Sequence, residues 1–241
     1  MSHISRREFI GCIAGVWGLF PIMPGLCKAD TVIHFSQKEN FMELPVPKLD
    51  GSMSLERTIQ RRRTIRAFNR HKAMSKEQYS QLMWAAQGIT DIGGFKRASP
   101  SAGALYPIDI YGVIGHTGVQ GMDAGVYHYL PKNHSIYLMH KGDVLKELAE
   151  AALSQMWMAE APVNIIITAE YSRITRKYRD RGIRYALMEA GNISQNIFLQ
   201  AEGVGLKAGI IGAFRDELVS NIIKTPTSHE PLLIMPVGFG A

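Results

Sequence analysis

A layered α/β or α+β domain, with helices packed over a sheet, is what this sequence predicts. Three observations carry the expectation. Near-continuous apolar runs at 163–169 (Val-Asn-Ile-Ile-Ile-Thr-Ala), 206–211 and 231–238 read as strands, the first of them buried on both faces. Long segments rich in Leu and Ala, at 143–160 and 183–202, have helical character and alternate with those runs. The 241 residues are 46% hydrophobic and 20% charged, an ordinary globular composition that supports one sizeable core in one domain.

Taken in order, residues 30–52 are polar and dotted with Pro45, Pro47 and Gly51, which predicts a linker or an arm on the surface. Ser54 can cap a helix beginning at Leu55, which delivers Arg61-Arg62-Arg63-Thr64-Ile65-Arg66. Ser75 caps a second helix, whose Tyr79, Leu82, Met83 and Ala86 form an apolar stripe and which Gly88 ends. A small-residue loop, 99–107, leads into a strand at 108–114. Residues 126–130 and 135–139 form a hairpin about the Pro131-Lys132-Asn133-His134 turn. Asp143 caps a long helix to about Glu160, stopped by Pro162. After the 163–169 strand comes a basic, aromatic stretch from Tyr171 to Tyr185, then the helix at 183–202 ended by Gly203 and Gly205. A strand at 206–211, a turn at Gly212-Ala213-Phe214, a short helix from Asp216 to Ile223 and a last strand at 231–238 complete the chain.

Residues 1–29 read as a targeting segment rather than as part of the fold. Ser5-Arg6-Arg7-Glu8-Phe9-Ile10 opens it, and an uncharged, glycine-broken apolar stretch follows to Met23, too short for a comfortable membrane span. Cys27-Lys28-Ala29 then resembles a small-x-small cleavage site. The arginine pair before Phe9 is the twin-arginine export signature, although a general secretory signal can also begin with two arginines. Twin-arginine export carries folded proteins, which suits a domain that loads a cofactor before leaving the cytoplasm. The expected location is therefore periplasmic or otherwise extracytoplasmic. Both cysteines, Cys12 and Cys27, fall in this segment, so cleavage at Ala29 leaves no disulfide, no thiolate metal site and no cysteine nucleophile.

The net charge of +6 is concentrated in two arginine clusters, 61–66 and 173–184. Neither has the interleaved aromatics or metal-ligand spacing of a nucleic-acid module, so an internal anionic ligand explains them better. The plain alternative is solvated arginines on helix faces. The Ser99–Pro107 loop is where a flat ligand could lie on bare backbone, because Gly and Ala hold nothing away; its plain alternative is a tight turn entering a strand.

Four ordered segments then coincide: Arg-Arg-Arg-Thr-Ile-Arg-Ala-Phe at 61–68, Pro-Ser-Ala-Gly-Ala-Leu-Tyr-Pro at 100–107, Ala-Gly-Asn-Ile-Ser-Gln-Asn at 190–196, and Ile-Gly-Ala-Phe at 211–214 before a terminal Pro-Val-Gly-Phe. Together they resemble the FMN-dependent nitroreductase superfamily, and the 100–107 form resembles its SagB/ThcOx dehydrogenase branch. The resemblance covers nearly all of residues 54–240. It implies an α+β fold, a central mostly antiparallel sheet flanked by helices, and an entwined homodimer with two FMN molecules at the subunit interface.

It also implies roles for residues. Arg62 and Thr64 match phosphate and ribityl contacts, with Arg63 contributing mainly backbone. Arg66 matches the basic residue near the pyrimidine edge of the ring, where positive charge stabilises reduced flavin. Pro100, Ser101, Ala102, Gly103 and Leu105 would lie along the isoalloxazine, and Gly212 and Ala213 match backbone contacts near N5. Gln195 and Asn196 are expected in helix packing or the dimer interface. Lys177-Tyr178 matches the branch's proton-transfer pair, with Arg173, Arg176, Arg179 and Arg181 as neighbours that would lower the lysine's proton affinity. The alternative for Lys177 is a surface cation in a mobile loop.

Two departures stand out. The chain stops at Ala241 without the basic residues that many members carry beyond the last strand, so either the second basic cluster substitutes, through Arg181 or Arg184, or the phosphate is held less tightly. Little chain separates signal from core, where members that mature peptide toxins usually carry a peptide-binding extension, and this, like export, puts peptide azoline oxidation in doubt. The expected function is FMN-dependent hydride transfer between flavin and a small organic or peptide-derived substrate, with no nucleic-acid partner, no metal and no stable membrane insertion. An electron carrier without its own turnover and an exported anion- or nucleic-acid-binding module are the rival classes.

Overall fold

A computed structural model describes residues 40–241, so the signal-like segment lies outside the described residues. Seven strands form one sheet: β1 (Phe41–Glu43), β2 (Ile108–Ile114), β3 (Gly125–Leu130), β4 (Ser135–Lys141), β5 (Val163–Ala169), β6 (Lys207–Ala208) and β7 (Glu230–Gly238). Six helices flank it: α1 (Leu55–Arg61), α2 (Lys76–Gln87), α3 (Leu145–Ala151), α4 (Ser172–Tyr178), α5 (Arg181–Gly203) and α6 (Asp216–Ile223). The strand order is β1-β4-β3-β2-β5-β7-β6, antiparallel at every step. Among the described residues, no helix is long and apolar enough to cross a membrane.

Period-two alternation sorts the sheet's side chains into two cores. Ile108, Ile110 and Ile114 of β2, Ile165 and Ile167 of β5, and Met235 and Val237 of β7 meet α2 and α5. Tyr111, Val113, Ile166 and Ile234 point the other way, against α3, α6 and Met158. β5 is buried along its whole length because both faces are covered. Gly112 leaves room for the phenol of Tyr79, since a side chain there would meet its hydroxyl.

The capped helices start where the sequence places them. Ser54 accepts a hydrogen bond from the Arg57 amide, and Ser75 with Gln78 forms a reciprocal capping box. Three expectations change. The helix expected at 143–160 stops at Ala151. Leu153 and Ser154 turn through positive φ, and a short 3₁₀ segment (Met156–Glu160) follows. The end carbonyls take outside partners there: Ala151 accepts from the Arg215 amide and Ala152 from the Gln155 side chain.

The strand expected at 206–211 is only two residues long before Ile211 rejoins β7 by an isolated bridge to Ile234. Gly209 donates to the Pro236 carbonyl, but Pro236 has no amide to return the bond, so the ladder breaks. Within the segment read as a linker or arm, Phe41–Glu43 pairs with β4 as an edge strand and Leu44 is buried.

Candidate active site

The sequence-predicted residues gather into two groups, separated by strands β5 and β7. The first lies on the β6 edge. α1 ends at Arg61, and residues 62–66 then run beside β6: Thr64 bridges Ala208, and the Ile65 amide donates to the Ala208 carbonyl. Arg62 is half-buried with its guanidinium 5.2 Å from the Phe198 ring centre, a cation–π contact. Arg66 is exposed, with its guanidinium 6.0 Å from the Trp157 ring centre. Arg63 turns back onto the carbonyls of Gln60 and Arg62, which leaves its main chain as its contribution. Gly212 and Ala213 follow on the same edge, exposed, with Gln155 donating to the Ala213 carbonyl. Among the described residues neither Arg62 nor Arg66 has a carboxylate partner.

At the end of β7 Lys207 stands opposite Gly238, with Glu202 holding its ammonium through both carboxylate oxygens at 2.8 Å, and the Lys72 ammonium lies 3.9 Å from the Phe239 ring centre. Arg181 and Arg184 do not join Arg62 within one chain. They stand at the start of α5, and at 1.5 Å per residue Arg181 is roughly 25 Å along the helix from Phe198.

The second group stands at the N-terminal end of β2. Ala102–Ala104 makes one 3₁₀ turn, with Gly103 at φ 64°. A methyl group on Gly103 would lie 2.8 Å from Tyr178 Oη and 3.1 Å from Lys177 Nζ. The Lys-Tyr pair and the loop therefore share one site. Lys177 and Tyr178 belong to helix α4 rather than to a mobile loop, and Tyr178 packs edge-on against Tyr185 at 5.2 Å. Arg173 is not a free cation beside Lys177: its guanidinium is taken by Asp109 (2.7 Å) and Glu170 (2.6 Å).

Ala104 and Tyr106 are also in the left-handed region, at φ 53° and 47°, which is costly for residues with a Cβ. Surrounding contacts hold them there. The Tyr106 amide donates to Ser101 Oγ, its hydroxyl to the Phe95 carbonyl, and its ring carries the Arg97 guanidinium at 4.0 Å.

Four polar side chains anchor this loop. Asn196 takes the helix-packing role expected of it, its Nδ2 donating to the Ala85 carbonyl of α2 and also to the Ala98 carbonyl and Ser99 Oγ, while Gln195 is exposed. Sequence reasoning missed the other three. Glu189 is 1% exposed, accepts from Gln87 Nε2 through Oε1, and leaves Oε2 without a partner. Burial pushes its carboxyl up to about 7, against the opposing effects of Ser101, Gln87 and Arg97. Arg97 in turn donates to Gln87 Oε1. The periodicity of Ala186, Ile193 and Ile197 puts Glu189 on the buried face, a signal present in the sequence.

Asp109 is the fourth. Burial opposes its charge, but the His128 hydrogen bond and the charges of Arg173 and His229 hold its carboxyl below the usual range. Ligand atoms of Asp109, Glu170 and His229 lie within 4.8 Å of one another. The Arg173 guanidinium already supplies the cation that two of these groups require.

A cavity of about 780 Å³ lies between residues 46–53, α1, α2 and the second half of α5, lined by Leu55, Gln81, Trp84 and Leu199 among others, with the loop anchor Asn196 on its wall. It contains none of the sequence-predicted site residues.

A model described as the nitroreductase family matches residues 59–239. The chain belongs to the nitroreductase family. It is 42% identical over 197 residues to a protein of Methanocaldococcus jannaschii named as nitroreductase MJ1384, covering 82% of this chain and 96% of that one. It is 28% identical over 152 residues to the microcin B17-processing protein McbC of Escherichia coli, covering 61% and 55% of the two chains. The crystal structure of a Ralstonia eutropha protein titled as a nitroreductase superposes with a TM-score of 0.70 at 24% identity, covering 84% of this chain and 90% of that one. The antiparallel sheet flanked by helices is thus the nitroreductase-like fold, and the protein is a nitroreductase-family oxidoreductase.

Proposed function

We propose that this nitroreductase-family chain is an exported, FMN-dependent oxidoreductase that exchanges a hydride with a small organic or peptide-derived substrate. One observation carries the reading: the bare backbone of Gly103 lies against Lys177 Nζ and Tyr178 Oη, so a flat ring on the loop would meet a proton-transferring pair. The donor set fits FMN. Arg62 and Arg66 are cations without carboxylate partners among the described residues, suited to phosphate and to an electron-rich ring edge. Gly212 and Ala213 offer exposed backbone. When bound, FMN supplies a two-electron hydride acceptor and donor at N5. The chain's own residues bind the phosphate, present uncluttered backbone to the ring, and hold or move a proton at Lys177 Nζ and Tyr178 Oη.

The separation of the two groups supports a homodimer in which a second copy completes each site. Exposed apolar residues on α1 and α5 favour it: Leu55, Ile59, Ile183, Leu187 and Met188 are all more than 40% exposed. In that arrangement Arg181 and Arg184 could serve the phosphate of the partner's flavin. The name of McbC favours a peptide-derived substrate, and the Arg6-Arg7 motif favours export of a loaded, folded protein.

The test is the visible spectrum of the chain from residue 30 onward, expressed in the cytoplasm and desalted. Flavin bands that survive desalting, with FMN released on denaturation and turnover of a quinone by the reduced protein, are expected. Bound flavin without turnover would mean an electron carrier, and a colourless protein that takes up no FMN would sink the reading.

A further inference from the structure

The short helix that carries Lys177 and Tyr178 cannot place itself. Seven residues are too few for a stable isolated helix, so its position is set by what holds its ends. Its C-terminal end turns through Arg179 at φ 51°, ψ −140°, a region that costs a side-chain-bearing residue energy. Ile174 anchors its buried face.

Its first turn is held by Arg173. One guanidinium makes three connections: Nε to Glu170 Oε2 at 2.6 Å, Nη1 to Asp109 Oδ2 at 2.7 Å, and Nη1 to the Tyr106 carbonyl at 3.3 Å. Glu170 is itself tied to the loop, its amide donating to the Pro107 carbonyl at 2.8 Å. Asp109 is fixed from behind by His128 at 3.0 Å. The same side chain thus fastens the last residues of the Pro100–Pro107 loop and the start of α4, one helical turn before Lys177. A lysine could not make these two ion-pair contacts and the hydrogen bond to Tyr106 together, because a single ammonium lacks the planar fork.

We propose that Arg173 is the positioning residue of this site: its guanidinium sets the gap between the Gly103 loop and the Lys177–Tyr178 pair. It touches neither substrate nor flavin and acts only through that pair. The inference rests on the functional reading above.

The test compares wild type, R173K, R173Q, the charge-neutralised pair D109N/R173Q, K177A and R173Q/K177A. FMN retention, the visible circular dichroism of bound FMN, and kcat and KM for a soluble benzoquinone oxidising the photoreduced protein would be measured on each. R173Q is expected to keep FMN, to change its circular dichroism, and to lower kcat by about tenfold or more with KM within about twofold. D109N/R173Q should fold as wild type does and show the same kcat loss, and R173K should recover only part of it. In the K177A background R173Q should cost less than about a further twofold, because both changes act on one group.

A lower melting temperature with unchanged kcat and dichroism would overturn the inference. So would full turnover by K177A, or losses that multiply in the double variant. A wild-type protein without flavin overturns the functional reading, and this inference with it; a yellow wild type with an indifferent R173Q overturns this inference alone.

Discussion

The two groups of site residues are built in opposite ways. Around the 100–107 loop nearly every polar group is committed. Of its three left-handed residues, Tyr106 is held by Ser101, Phe95, Arg97 and Arg173 and the Ala104 amide donates to the Ser101 carbonyl, and Asn196 ties the start of the loop to α2. On the β6 edge Arg62 and Arg66 rest on aromatic rings and, among the described residues, face no carboxylate, and Gly212 and Ala213 are open to solvent. The loop is a preorganised wall whose strain is held by its neighbours. Under the proposed reading, the arginine edge holds charge for the phosphate of the cofactor. Damage to the wall should therefore show in rate or stability, and damage to the edge in cofactor affinity.

The largest effect expected is on the edge. R62A/R66A should fold normally, since Arg66 is exposed and Arg62 only half-buried, yet bind FMN roughly 10²- to 10⁴-fold more weakly, as two charge-assisted contacts are lost. Fluorescence titration with FMN would show it. Wild-type affinity in this variant would mean that the edge is not a phosphate site.

Glu189 sharpens the contrast at the wall. Its folded carboxyl titrates at about 7 against 4.5 unfolded, so between those values the folded protein holds a proton that the unfolded chain has lost. Stability from this group is present at low pH and lost as pH rises through 7, a swing of roughly 3 kcal/mol. E189Q removes the swing while still accepting from Gln87. It should match wild type near pH 4.5 and exceed it at pH 8 in urea denaturation; equal pH dependence of the two proteins would contradict the assignment.

G103A should come next. A Cβ at φ 64° strains the backbone and presses on Tyr178 Oη and Lys177 Nζ, so kcat should fall on the order of ten- to a hundredfold with FMN still bound. The measurement is turnover against flavin content, and loss of flavin in step with rate would remove the distinction between the groups. The smallest effect belongs to N196A. It strips three acceptors of one donor and should cost about 1–3 kcal/mol of stability, with little change in FMN affinity.

What was legible in the sequence follows the same division. Ser54 and Ser75 announced α1 and α2 because a cap is local chemistry between residues three apart. β2, β5 and α6 were readable from short-range pattern, and the arginine segment and the small-residue loop from residue type. The break in α3 was not readable, since it depends on Arg215 reaching Ala151 across the fold. Nor was the shortness of β6, which depends on Pro236 falling opposite Gly209. The wall's anchors are contacts at long separation: Asn196 with Ala85, Glu189 with Gln87, Arg173 with Asp109 and Tyr106. Residue type alone made Arg173 look like one more cation beside Lys177; its carboxylate partners, 64 and 3 residues away, give it a different task.

The central claim is that the edge of one copy and the wall of another make one site. The direct measurement is complementation: R62A/R66A chains and K177A chains, each expected to be impaired alone, are mixed, allowed to exchange subunits, and assayed for FMN-dependent quinone turnover. In a twofold-symmetric dimer with shared sites, random exchange leaves one intact site in each mixed dimer, so about a quarter of wild-type activity should return. No recovery, with subunit exchange verified, would place both groups of each site in a single chain and contradict the account.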